Sequence, residues 1–245
     1  MTKIGWTLYL NPPAVFCLTN ETGATANFNF QILEAKLLIK RVISLPSLQN
    51  KLERALASGQ VANYPVNYVN CRKLIIPQGL RNFSYQSLFA GENLPKACLF
   101  GLAAQSESSN FQESPYQFKT HNLQDISITC NSQRFPTQSF NLAYNANPKS
   151  YMRAFQSLYP DLWNPKGTYI DIKKYLEGGY CLYFIPLNSD ASTEDSFVAK
   201  QLGPCRIDLT FENENNPVLI LYIWAFSDQN FLLDGSRNCY VNFKL

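Results

Sequence analysis

Length and composition describe a globular chain that is rich in strands. Of its 245 residues, 46% are hydrophobic and only 16% are charged, which excludes a disordered or coiled-coil protein. The net charge of +3 comes from scattered Lys and Arg, so we expect no specific nucleic acid as a partner. The aromatic share of 14%, in which Phe and Tyr far outnumber Trp, predicts an all-β protein.

The N-terminal residues 1–18 read MTKIGWTLYLNPPAVFCL and lack the apolar core of a signal peptide. No segment of the chain reaches the run of about 18 apolar residues that a membrane-spanning helix needs. We therefore expect no membrane span, and a location in the cytoplasm or nucleus during synthesis. The glycosylation sequons at Asn20 and Asn82 are interpreted as chance matches.

Residues 28–43 alternate apolar and charged side chains at their centre, which predicts a strand with at least one buried face. Residues 47–59 change to a helical period, with four apolar side chains on one face: Leu48, Leu52, Ala55 and Leu56. Ser47 is the expected cap of this helix, and Gly59 is its expected end.

Residues 63–79 are predicted to be extended, and further strands are expected at 84–91, 96–104 and 121–130. The segment GENLPK, residues 91–96, raises the question of a phosphate-binding loop. The loop pattern fails here, because Lys96 stands where the second glycine is required and Pro95 removes a backbone donor. We interpret the segment as a corner that begins a buried strand.

Two more helices are predicted, one at residues 147–160 with Asn147 as its cap, and one that starts at Asp171 and stops at Gly178. Four strand candidates complete the chain, at residues 180–187, 205–212, 217–226 and 238–243. The nine consecutive apolar residues 218–226 exceed what a strand with one wet face carries. Both faces are therefore expected to be covered, one by the sandwich core and the other by another barrel or subunit.

The seven cysteines show no C-x-x-C spacing, and several lie in apolar runs, as Cys98 and Cys181 do. A buried thiol behaves as a small hydrophobic side chain. We therefore expect neither zinc nor disulfides and predict that all seven thiols are reduced.

His121 is the only histidine, so a catalytic triad or a multi-histidine metal site would require it. No nucleophile motif accompanies His121, and a structural or exposed role is expected. The acidic candidates lie in polar turns, where solvation opposes general-acid function: Glu212 and Glu214, and Asp190, Glu194 and Asp195. The second of these turns also lacks the spacing of an EF-hand loop. The sequence predicts no catalytic, cofactor-binding or metal residues, no cofactor and no enzyme.

Eight sequence blocks follow one another in a fixed order: ANYPVN, LIIPQG, LFAGENLPKACLFGLA, SPYQFKTHNLQDISITCNSQRFP, YMRAFQSLY, YLEGGYCLYFIPL, LGPCRIDLTFE and GSRNCYVNF. In this order they resemble the major capsid proteins of Polinton (Maverick) elements and adintoviruses, and the resemblance extends over residues 28–243. The chain departs from the family pattern at Ser114, Ser132 and Pro186, which affects turns more than strand interiors.

The resemblance implies a double jelly-roll, hexon-like capsid protein of an icosahedral shell, whose three copies form a pseudo-hexameric capsomer. The blocks are similar to the C-terminal half of that family. Residues 28–245 are then the C-terminal jelly-roll domain, a β-sandwich with a few short helical insertions. Residues 1–27 are the closing strands of a preceding jelly roll or an N-terminal extension. The chain is a fragment or a stand-alone derivative.

The partners implied by the resemblance are further copies in a homo-oligomeric trimer, neighbouring capsomers, and a minor or penton capsid protein, and the implied location is the virion. The alternative is a stand-alone or host-co-opted jelly-roll binding module. Such a module would bind carbohydrate through exposed aromatic side chains such as Tyr116, Phe118 or Trp163. A cupin-like enzyme is disfavoured, because its metal site needs several histidines.

Overall fold

The computed structural model describes residues 7–11, 31–38, 43–90, 93–109, 112–142, 148–158, 170–187, 203–215, 217–236 and 238–241. Within them lie three α-helices: α1 (Pro46–Ala57), α2 (Met152–Ser157) and α3 (Ile172–Glu177). The same residues form nine strands: β1 (Ala62–Ile76), β2 (Asn82–Tyr85), β3 (Ala97–Ala104), β4 (Leu123–Cys130), β5 (Gln133–Phe135), β6 (Leu182–Pro186), β7 (Cys205–Phe211), β8 (Leu219–Leu233) and β9 (Cys239–Val241). Short 3-10 turns lie at Gln105–Ser109 and Pro148–Tyr151.

The first eight strands pair as a nested hairpin. β1 pairs with β8, β2 with β7, β3 with β6 and β4 with β5, and every pair is antiparallel. Rolling this hairpin up gives two sheets, of order β1-β8-β3-β6 and β2-β7-β4-β5, with β9 added to the far end of β8. This is the arrangement of an eight-stranded jelly roll. The predicted all-β sandwich with few helices is confirmed.

The core lies between the two sheets and is made by side chains that alternate along each strand. In β7 the inward residues Ile207, Leu209 and Phe211 are at most 2% exposed, as the sequence period predicts. Strand β3 is buried along nearly its whole length, which confirms that the corner before it starts a buried strand.

The buried side chain of Asn215 links the turn after β7 to the turn after β1. Its amide oxygen accepts a hydrogen bond from the Leu80 amide at 2.6 Å, and its amide nitrogen donates to the Pro77 carbonyl at 2.9 Å.

One cysteine prediction is wrong. Cys130 and Cys205 lie opposite each other on β4 and β7, 4.4 Å apart between their Cα atoms, and are joined in a disulfide. Directly paired positions on neighbouring strands bring Cα atoms into the range that a disulfide requires. The sequence did not reveal this pairing, because it depends on the register of strands 75 residues apart. Cys71, Cys98, Cys181 and Cys239 are free thiols.

The three helices occur where they were predicted. Asp171 caps α3, because its carboxylate accepts a hydrogen bond from the Lys174 amide at 2.7 Å. Helix α1 starts at Pro46, two residues earlier than a cap at Ser47 implies, so Leu45 and not Ser47 is the cap residue. Gly59 follows its end with a φ of +86°, a backbone conformation that suits glycine. Asn147 lies outside the described residues.

The prediction of a strand at residues 28–43 is wrong where it can be examined. Residues 31–38 have no regular secondary structure and are all exposed, and residues 28–30 and 39–42 lie outside the described part. Residues 7–11 likewise form no strand. Residues 31–38 alternate as a strand would, but in the described part of the chain they belong to no sheet. The strand predicted at 84–91 is shorter than expected and ends at Tyr85.

Candidate interaction surfaces

Most apolar side chains of the described residues 7–75, which we call the N-terminal surface, lie outside the core. Leu74, near the end of this range, is half-buried against it. No described residue before Ile76 is buried. Of the 21 large apolar side chains that are exposed in the described residues, 16 belong to this surface. They include Leu33, which is 87% exposed, and Leu38, which is 92% exposed. Exposed apolar side chains in this number make the N-terminal surface a candidate for contact with another protein.

Two packing contacts join the first half of β1 and the end of α1 to the C-terminal part of β8 and the turn after it. β1 and β8 each have 15 residues. The N-terminal half of β1 and the C-terminal half of β8 extend together as a two-stranded ribbon, and β9 pairs with the end of β8 in this ribbon. On this ribbon the Tyr64 and Phe231 rings are 6.3 Å apart. The end of α1 lies against the turn after β8, where a Cβ on Gly235 would stand 2.4 Å from the Leu56 carbonyl oxygen. Helix α1 has no buried residue, so its apolar face is available.

A second surface lies on the outer face of the five-stranded sheet. Residues 115–119, which we call the strap, cross this face and bury Phe118 to 7% exposure. The Phe118 ring packs edge-on against Tyr222 at 5.7 Å and Trp224 at 5.6 Å between ring centroids. Tyr222 also receives the Lys73 ammonium group 5.0 Å from its ring centroid. The strap and these rings form a small second core outside the sandwich.

Backbone hydrogen bonds and one ion pair fix the strap. The Phe118 amide donates to the Gly179 carbonyl at 2.8 Å, and its carbonyl accepts from the Cys181 amide at 3.0 Å. Lys119 forms an ion pair with Glu107 at 2.6 Å, and the Glu107 side chain is 9% exposed. The hydrogen bond to Glu107 raises the pKa of Lys119, and burial lowers it. The hydrogen bond has the larger effect, so the pKa of Lys119 is raised.

The strap corrects the interpretation of residues 218–226. The expectation that both faces of this strand are covered is confirmed for Tyr222, which is 2% exposed on the outer face. The cover over Tyr222 comes from the strap of the same chain. Ile220, Trp224 and Phe226 on the same face are half-buried, and their cover by another barrel or subunit stays a prediction. The sequence did not predict the strap, because its one trace in the sequence is the glycine at position 101. A Cβ at that position would stand 2.5 Å from the Phe118 ring.

His121, the histidine on which a catalytic triad or metal site would depend, is half-buried. It lies in the turn before β4 with a φ of +44°, and its Nε2 atom is buried with no hydrogen-bond partner among the described residues. Burial, and secondly the charge of Lys119, lower the pKa of His121 to about 4, so the ring is neutral at pH 7. The structural or exposed role that the sequence predicts for His121 stays a prediction.

The other sequence candidates do not converge. Glu214 is exposed and Glu212 is half-buried, and the acidic residues Asp190, Glu194 and Asp195 lie outside the described part. Among the described residues there is no group of three or more His, Cys, Asp or Glu side chains that would hold a metal ion. Of the aromatic candidates, Tyr116 is 42% exposed and Phe118 is buried, while Trp163 lies outside the described part.

The described helices include none that is both long enough and apolar enough to span a membrane. Two of the four free thiols have a shifted pKa. Burial raises the pKa of Cys98, and it also raises the pKa of the exposed Cys71. Raised values disfavour the thiolate form that nucleophilic chemistry needs.

No protein-family model matches the chain. The uncharacterized protein F54H12.2 of Caenorhabditis elegans is 24% identical over 221 residues, which cover 88% of this chain and 52% of that protein. The chain therefore spans about half the length of this relative.

Several solved capsid structures are similar to the chain. The Sputnik virophage cryo-EM structure has 14% identity and a TM-score of 0.41, over 76% of this chain and 39% of that chain. PBCV-1 VP54, fitted into a Sputnik reconstruction, has 10% identity and a TM-score of 0.46, over 79% and 54%. The mavirus major capsid protein has 9% identity and a TM-score of 0.35, over 76% and 42%. The jelly-roll assignment rests on the sheet order described above.

Proposed function

We propose that the chain is a structural capsid protein that forms trimeric, pseudo-hexameric capsomers of an icosahedral shell. The shell would be that of a virus or virus-like element of the Polinton and adintovirus kind. The observation that carries the proposal is the combination of a complete jelly roll with an N-terminal surface that has no buried residue. The ordered sequence blocks that resemble this capsid family support it.

The division of the molecule suits such a role. The sandwich is filled by its own side chains and needs no partner to close its core. The N-terminal surface exposes apolar side chains that single folded chains ordinarily bury, and large apolar contacts are typical of permanent assemblies. In this proposal residues 28–245 form the C-terminal jelly-roll domain, and residues 1–27 belong to a preceding jelly roll or an extension.

The proposal includes a virion location, contacts with neighbouring capsomers and with a minor or penton capsid protein, and no enzymatic activity. A purified trimer that builds hexagonal capsomers or sheets in electron micrographs is the expected result. Light scattering after size exclusion gives the mass. A soluble monomer at high concentration, unchanged when an upstream jelly roll is supplied, would contradict the capsomer.

A carbohydrate-binding module is the second candidate, and one observation favours it. Tyr116 is exposed next to the Tyr222 ring, at 5.8 Å between centroids, and the Lys73 ammonium group lies over the same ring. The exposed face of an aromatic ring can stack on a sugar ring, and an ammonium group can donate hydrogen bonds to the sugar hydroxyl groups. If the protein binds a glycan array and Tyr116→Ala abolishes the binding, the result favours the carbohydrate-binding module. If the protein binds no glycan, the result favours the capsid role.

A further inference from the structure

Four side chains lie close together on the outer face of the five-stranded sheet, where the strap crosses it. Lys73 of β1 stands opposite Tyr222 of β8, so the two side chains share this face. Cys71, two residues earlier in β1, points to the same face, and both β1 side chains are exposed. Tyr116 of the strap is 42% exposed, and its ring centroid lies 5.8 Å from that of Tyr222. We call these four residues the tyrosine cluster.

The hydroxyl group of Tyr222 is an unused donor at the centre of this cluster. The residue is only 2% exposed, yet its hydroxyl group makes no hydrogen bond to a described residue. A buried tyrosine usually finds a partner for its hydroxyl group. The oxygen is not among the fully buried unpaired atoms of the described residues, so it still reaches the surface. Burial, and then the neighbouring Tyr116 and Cys71, raise the pKa of Tyr222, so the hydroxyl group is protonated and can donate.

Lys73 adds a positive charge at the same place. Its ammonium group lies 5.0 Å from the Tyr222 ring centroid, and the ion pairs among the described residues involve other side chains. An ammonium group over an aromatic ring keeps N–H donors for a further partner. Its charge also opposes the effect of burial on the pKa of Cys71, which places the ammonium group near this thiol.

The chemistry of the tyrosine cluster selects the ligand. The cluster offers an ammonium group and two tyrosine hydroxyl groups, and it contains no carboxylate or amide oxygen. A carboxylate or sulfate group accepts hydrogen bonds and carries the opposite charge, so it complements these donors better than an uncharged group does. The exposed Tyr116 ring supplies an apolar face on which the C–H groups of a sugar ring can stack.

We propose that the tyrosine cluster binds an acidic sugar, a saccharide that carries a carboxylate or sulfate group. The sugar ring stacks on Tyr116, and the acid group accepts hydrogen bonds from the Lys73 ammonium group and the Tyr222 hydroxyl group. This site rests on the carbohydrate binding named above as the second candidate function. It does not depend on the capsomer, because a shell protein and a separate module can both carry such a site.

The first test titrates the full chain with lactose, sialyllactose and sulfated lactose by calorimetry. We expect at least one of the two acidic sugars to bind at least about 10-fold more tightly than lactose, because charge-assisted hydrogen bonds are the stronger ones. The difference should shrink when the salt concentration is raised from about 0.05 M to about 0.5 M, because salt screens an exposed ammonium group.

Two substitutions locate the acid group. Tyr222→Phe keeps the ring and removes a hydroxyl group without a described partner, so the thermal stability should stay unchanged while the dissociation constant for the acidic sugar rises about 10-fold. Lys73→Met should abolish the preference over lactose. Lys51→Met removes an exposed lysine of α1 and is the charge-matched control, which should keep the preference.

Cys71 reports whether the site is occupied. A bound acidic sugar should slow the alkylation of Cys71 by iodoacetamide, because the thiol lies in the tyrosine cluster. Cys239 on β9 is an exposed free thiol of the same chain, and its alkylation should proceed at the same rate with and without the sugar.

The outcomes distinguish the acidic-sugar site from carbohydrate binding in general. Equal affinity for all three sugars would overturn the acidic sugar and leave carbohydrate binding standing. No binding of any of them would overturn the site, and the glycan array described above would then decide on carbohydrate binding separately. Tight binding of an acidic sugar that Tyr222→Phe and Lys73→Met leave unchanged, or that does not protect Cys71, would also overturn this site.

Discussion

The jelly-roll sandwich and the N-terminal surface contain similar side chains in opposite environments. Every buried apolar side chain of the described residues lies between Ile76 and Leu233. The described residues 7–75 contain comparable leucines, isoleucines and tyrosines, and none of them is buried. The difference lies in the number of layers. The sandwich has two facing sheets, and no described apolar residue before Leu74 packs against the core between them.

β1 shows this difference within one strand. Its last residue, Ile76, is fully buried between the sheets, whereas Tyr64 and Val66 in its first half are 51% and 40% exposed. All 15 residues are paired to β8 in one unbroken register. Hydrogen bonding therefore continues where the core ends. An apolar side chain is buried only where a second layer covers the sheet.

The largest expected effect compares one substitution in both regions. Leu221→Ala removes a side chain with 0% exposure and should lower the free energy of unfolding by about 2–5 kcal/mol. Leu48→Ala, at 50% exposure in α1, should change the free energy of unfolding of the monomeric chain by less than about 0.5 kcal/mol. Urea denaturation measures both. An equal cost for the two would show that the N-terminal surface is part of the sandwich core.

The cysteines give the next contrast. Cys130→Ser removes the bond between β4 and β7 and should cost roughly 2–4 kcal/mol, because the loop that it closes is long. Cys71→Ser changes an exposed free thiol in β1 and should be neutral. Thermal unfolding without reductant measures both. Peptide mapping should recover Cys130 and Cys205 in one linked species, and separate peptides would contradict the assignment.

The sequence predicted the sandwich well because its strands carry their own evidence. Alternation in β7 and the continuous apolar run in β8 report burial directly, and Asp171 and Gly59 mark helix ends by local chemistry. The same alternation at residues 31–38 predicted a strand that the chain does not form. Periodicity reports which side chains would face a layer, and it cannot report whether that layer belongs to the same chain.

Register and close approach also escaped the sequence. The Cys130 and Cys205 pair depends on the register that places these two residues opposite each other on strands that are distant in sequence. The strap depends on the missing side chain of Gly101, which leaves room for Phe118. Neither contact leaves a periodic pattern. The absence of a catalytic site was predicted from the lone His121, and it stays a prediction that activity assays can test.

Gly101 provides a third test, in which the second core on the outer face is disturbed and the sandwich is not. Gly101→Ala places a Cβ 2.5 Å from the Phe118 ring and 2.9 Å from Leu182, and should cost about 1–3 kcal/mol through displacement of the strap. Trp224 fluorescence should change, because the Phe118 ring packs against it. Adding Phe118→Ala makes room for the Cβ, so the two costs should not add. Full additivity would mean that the strap does not rest on Gly101.

The smallest expected effect is the pH dependence of stability. It also distinguishes the sandwich from the N-terminal surface, because the titrating group, His121, lies in the sandwich. Burial, with a smaller contribution from Lys119, lowers the pKa of His121 to about 4, whereas an unfolded chain keeps a value of about 6.5. The unfolded state therefore binds the proton more readily between these values. Stability should fall as the pH drops from about 6.5 to 4, and should not depend on this group above that window.

His121→Asn tests this assignment without disturbing the backbone, since asparagine tolerates the φ of +44° at this position. The variant should match the wild type near pH 7 and exceed it near pH 4.5 by on the order of 1–2 kcal/mol, a value reduced for partial exposure of the ring. Asn122→Gly alters the adjacent left-handed residue, with φ +54°, and should keep the wild-type pH slope. Parallel curves for His121→Asn and the wild type would place the acid sensitivity elsewhere, in the carboxylates of both regions.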